Sequence, residues 1–66
     1  MHIIVQTKDY GTIQSREFET MTREKAEDFL TEVLKGNYEQ ISFEFEFHKV
    51  YLPKQVLATS IFTLMY

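Results

Sequence analysis

A chain of 66 residues without a single cysteine has no access to disulfides, thiolate metal sites or a cysteine nucleophile, and must draw its stability from one small core. Its net charge of -3, from 10 acidic and 7 basic side chains, favours solubility and runs against a general nucleic-acid binder. The sequence contains neither an apolar stretch of membrane-spanning length nor a secretory leader pattern, so an untargeted cytoplasmic protein is the expectation.

One domain covering residues 1–66 is expected. Six Phe and four Tyr supply the apolar material, each fully buried Phe being worth about 1.5 to 3 kcal/mol. The segment from His2 to Lys8 is rich in β-branched residues and reads as a first strand, with Ile3, Val5 and Thr7 on one face. Asp9, Tyr10 and Gly11 suit a hairpin loop, because Gly accepts the positive φ such loops need. The returning strand, Thr12 to Glu19, alternates poorly, which points to a bulge or an exposed edge.

A helix follows. Thr22 can cap it, Glu24 suits its positive first turn, and Ala26, Phe29, Leu30, Val33 and Leu34 recur at helical spacing. Gly36 and Asn37 end it. The opposite face is charged, so one side of the helix packs, and its partner should be a sheet.

From Ile41 to Phe47 apolar and polar residues alternate without a fault, the mark of a half-buried strand. The phase then changes, with Phe43, Phe45 and Phe47 odd but Val50 and Leu52 even, which places a bulge or tight turn near His48 and Lys49. Pro53 cannot donate to a ladder and ends the strand or marks an edge. The segment from Pro53 to Thr59 reads as a loop or a single helical turn. Ser60 to Tyr66 forms the last strand, apolar on both faces. The expected fold is therefore α+β, in the order β-β-α-β-β with a short fifth strand left open, as a four-stranded, mostly antiparallel sheet carrying one helix on one face.

One helix covers one face of such a sheet, whereas the final strand is apolar on both. A second copy of the chain is the economical cover, since two-fold dimers are the commonest soluble assembly. The residues expected at this interface are Ile61, Phe62, Leu64, Met65 and Tyr66, with Val50 and Leu52 as neighbours. Tyr66 suits an anchor with a wet polar tip.

The chemistry-bearing residues are sparse. Glu44, Glu46 and His48 would share a face if the strand stayed regular, but same-face neighbours stand about 6.6 Å apart. The first and third of them could not both reach one metal ion, and neither a metal site nor a cofactor is expected. Glu44 and Glu46 as an acid and base pair would need a cleft that so small a domain has little wall to build. With only Gly11 and Gly36 in the chain, a phosphate-cradling loop is excluded, and an enzyme is not expected. The Phe row resembles the stacking platforms of single-strand binders, yet it lacks their basic flanks and suits a core better.

The function expected from these residues is a small, non-enzymatic protein-binding or regulatory domain, acting as a homodimer or through a protein partner. Two other readings stand beside it. Glu17, Glu19, Glu39, Glu44 and Glu46 could form an acidic surface that occupies a basic groove on a nucleic-acid-binding protein. Alternatively, Lys8, Arg16, Lys49 and Lys54 could converge into a small nucleic-acid module.

Overall fold

The computed structural model of the chain describes residues 1–17 and 21–66. Its elements run β1 (His2–Gln6), β2 (Thr12–Gln14), α1 (Arg23–Leu34), β3 (Gln40–Glu44), β4 (Lys49–Pro53), α2 (Lys54–Leu57) and β5 (Ile61–Met65). The class is α+β, but the expected single sheet of four strands is replaced by two antiparallel sheets, β2-β1-β5 and β3-β4. The residues between Tyr38 and Pro53 form a complete hairpin that satisfies its own ladder, and the fifth strand left open in the sequence is β4.

β1 is the central strand of its sheet, flanked by β2 and β5 with Val5 opposite both Ile13 and Phe62. Ile3 and Val5 are the largest fully buried side chains, while His2, Ile4 and Gln6 point to the other face. The connecting loop is held by Thr7. Its amide donates to the Gly11 carbonyl (3.0 Å), and its hydroxyl donates to the same oxygen and accepts from the Tyr10 amide. Gly11 takes φ +82° there, a value costly for any residue with a Cβ.

β2 is shorter than the expected Thr12 to Glu19, and Phe18 and Glu19 lie outside the described residues. The ladder ends at Ser15. Its amide still donates to the Ile3 carbonyl (2.8 Å), but the Ile3 amide donates to Ser15 Oγ (2.8 Å), where a regular pair would use the Ser15 carbonyl. The hydroxyl in turn donates to the Arg16 carbonyl (3.0 Å). The irregularity anticipated in this strand takes that form.

α1 begins and ends as its local chemistry requires. Thr22, in extended geometry, accepts the Lys25 amide on its hydroxyl (3.2 Å), and Glu24 lies in the first turn. At the other end the Gly36 amide donates to the Val33 carbonyl and the Asn37 amide to the Glu32 carbonyl, a Schellman arrangement with Gly36 at φ +79°. Ala26, Leu30 and Val33 face the core with Phe29 half-buried at the border. Leu34 does not join them. It is one position past Val33, about 100° further round the helix, and stands 69% exposed.

In the second sheet Ile41 pairs with Leu52 and Phe43 with Val50, so these four side chains share the inner face. The Phe45 amide donates to the His48 carbonyl (2.7 Å), which extends the ladder by one pair and leaves Glu46 and Phe47 as a two-residue turn. The alternation thus outlasts the strand. Phe43 is buried and Phe45 half-buried, whereas Phe47 is 90% exposed at the apex. α2 is the helical turn anticipated after Pro53, and it buries Leu57.

Ile3 and Val5 from the first sheet, Ile41, Phe43 and Leu52 from the second, Leu30 and Val33 from α1 and Leu57 from α2 form one apolar cluster. Two outcomes follow in chemical denaturation. Phe43→Ala should cost about 3 to 5 kcal/mol, and Phe45→Ala clearly less. Equal losses would contradict a row whose burial fades toward the turn. Ser15→Ala, which leaves the buried Ile3 amide without its acceptor, should cost about 1 to 3 kcal/mol. An unchanged midpoint would show that another acceptor replaces the hydroxyl.

Candidate interaction surface

β5 presents two different faces. Its Phe62 and Leu64 lie opposite Val5 and Ile3, and both are half-buried against the shared core. Ile61, Thr63 and Met65 lie opposite Gln6, Ile4 and His2 on the open face, with Ile61 64% and Met65 47% exposed. The seven residues expected at an interface therefore separate. Leu52 is buried, Val50, Phe62 and Leu64 pack partly within the chain, and Ile61, Met65 and Tyr66 remain on the surface. The open face is also more mixed than a greasy strand suggests, since Gln6, Thr12, Gln14 and Thr63 share it.

Tyr66 is not a free anchor. The Arg23 guanidinium sits over its ring at 4.0 Å to the centroid, tying the start of α1 to the end of β5. Arg23 Nε also donates to Glu27 Oε1 (3.1 Å). The pKa of Arg23 is raised, first by the hydrogen bond to Glu27 and then by its interaction with Tyr66.

The acidic residues sit on different elements of the fold. Glu17 is near the amino-terminal ammonium (3.7 Å) and Glu39 near Lys54 Nζ (3.7 Å), whereas Glu44 and Glu46 belong to the tip of the second hairpin. Glu19 lies outside the described residues. The strand does not remain regular through Glu44, Glu46 and His48. The chain turns at Glu46, and the His48 ring stacks on Phe45 at 4.8 Å between centroids. Among the described residues no group of three or more His, Asp or Glu side chains is placed to hold a metal ion.

The basic residues named for a nucleic-acid module are dispersed in the same way. Lys8 is at the loop end of the first hairpin and Arg16 at its open end, while Lys49 and Lys54 flank β4 at opposite ends. Among the described residues, no helix is long and apolar enough to cross a membrane.

Two further surface features stand out. Phe47 projects at the apex of its turn, a position that reading the alternation as strand assigns to the core. The phase change at His48 was the sequence signal that a turn begins before that residue. An apolar cleft of about 330 Å³ also lies beside β4, lined by Tyr10, Ile13, Val50, Tyr51, Leu52, Pro53 and Val56. Comparison with known protein families, with curated proteins and with solved structures found no match to this chain.

Proposed function

We propose that the chain is a small, non-enzymatic protein-binding or regulatory domain of the cytoplasm that works by self-association. The observation that carries the reading is the pair Ile61 and Met65, both large, apolar and exposed on the open face of β5. Ile4 on the adjoining strand, half-buried among them, extends the apolar area. Exposed apolar groups rimmed by Gln6, Thr12 and Gln14 have the composition of an interface with an apolar centre and a polar edge. Phe62 and Leu64 support the contact from beneath, because their packing in the core fixes the strand that presents Ile61 and Met65. The scattered placement of the carboxylates and lysines gives no comparable support to an acidic decoy or a nucleic-acid module.

The test uses the two residues that the core does not need. The double variant Ile61→Asp and Met65→Asp should keep its circular dichroism spectrum and sediment as a smaller species than the unmodified chain at equal concentration. Identical sedimentation of the two across the whole soluble range would remove the open face of β5 as a contact.

A further inference from the structure

Among the described residues the second sheet holds β3 and β4 alone, so the outer edge of β4 is unpaired. The bonds from the Phe45 amide to the His48 carbonyl and from the Lys54 amide to the Glu39 carbonyl (2.9 Å) bracket the β3-β4 ladder. Hydrogen-bonded and non-bonded pairs alternate between them. Val50 and Leu52 therefore turn their backbone groups toward β3, and Lys49, Tyr51 and Pro53 turn theirs away from it. The free edge offers the amides of Lys49 and Tyr51 and the carbonyls of all three. An edge of this kind is a template for another strand, and Lys49 and Pro53 at its ends restrict what can pair with it.

We propose that β4 pairs antiparallel with β4 of a second copy about a two-fold axis at Tyr51, and that Phe47 of each copy enters the apolar cleft of the other. This contact uses a different surface from the open face of β5 and stands or falls separately. At this register the two Tyr51 residues exchange both of their edge bonds. Each Lys49 amide meets the Pro53 carbonyl of the second copy, where the missing proline donor costs least. Centring on Lys49 would set two ammonium groups side by side, and centring on Pro53 would leave the axis without a donor.

Pairing at Tyr51 also carries the turn of one hairpin to the start of α2 in the other. With Lys49 opposite Pro53 of the second copy, Phe47 lies two residues further on and reaches past Pro53 to the start of α2, where Pro53 and Val56 are two walls of the cleft. A register centred on Val50 would stop Phe47 at the Pro53 rim. The exposed ring and the cleft thus account for each other, and an aromatic knob in an apolar pocket is the usual centre of an interface. Charge agrees with the fit. Glu46, beside Phe47 at the apex of the turn, arrives at the same end of the second copy, where the adjoining hollow formed by Lys8, Asp9, Tyr10, Gln55, Val56 and Thr59 holds a lysine that makes no ion pair among the described residues.

The absence of cysteine allows a direct test. In the Ile61→Asp, Met65→Asp background, Val50→Cys, Tyr51→Cys and Gln14→Cys are made singly and oxidised mildly. Paired residues of a bonded antiparallel pair stand about 5.5 Å apart at Cα, within disulfide reach. Tyr51→Cys should give a disulfide-linked dimer in far higher yield than Val50→Cys or the control Gln14→Cys on the other sheet. In the same background without added cysteine, Phe47→Asp should weaken dimerisation at least about tenfold, measured by sedimentation. Glu46→Lys should weaken it, and Lys8→Glu added to Glu46→Lys should restore it. Phe47 is so exposed that its replacement should leave circular dichroism unchanged. A yield for Tyr51→Cys no better than for the control, or a dimer indifferent to Phe47→Asp in a folded variant, would overturn the proposal.

Discussion

Among the described residues the β3-β4 hairpin has no neighbour in its own sheet, and two strands alone are marginal in water. It persists because its inner row, Ile41, Phe43 and Leu52, closes on Ile3 and Val5 of the other sheet. That shared burial sets the positions of everything else. α1 must present Leu30 and Val33 to the same volume, and α2 must place Leu57 in it. Of these side chains Ile3 and Val5 are the most completely enclosed, which fits the central place of β1 between its two partners. Residues whose side chains do not reach this volume, such as Leu34, Phe47, Ile61 and Met65, are left to the surface whatever their hydrophobicity.

How much of this was legible from the residues depended on how local the deciding interaction is. Thr22 and the pair Gly36 and Asn37 mark the ends of α1 correctly, because capping is settled within a few residues. The last strand was also read as apolar on both faces, and Phe62 and Leu64 lie on one while Ile61 and Met65 lie on the other. Strand pairing was less legible, since it joins residues far apart in the chain. Nothing in the composition of the last strand says that it lies beside β1 and not beside β4. The division into two sheets therefore escaped a reading that treated the strands as one layer.

Phe47 shows a second limit. Period-two alternation records which side chains would share a face if the backbone stayed extended, and it cannot register the residue at which extension stops. Glu46 and Phe47 continue the pattern by composition while the chain is already reversing. The residues expected at the interface divide for a related reason. The expectation counted apolar residues on both faces of the last strand, but Phe62 and Leu64 contribute to the chain's own core and Thr63 divides Ile61 from Met65. What remained for a partner was a smaller area than the sequence implied, and of the free edge of β4 the sequence held one sign, Pro53, which ends a strand or marks an edge.

The hydroxyl of Ser15 has a role beyond its own hydrogen bonds. By standing in for a carbonyl opposite Ile3, it lets the regular ladder end at Ser15 without stranding an amide in the driest part of the molecule. The end of β2 can therefore change without breaking the bonding of the central strand, so long as one small oxygen-bearing side chain is kept opposite Ile3.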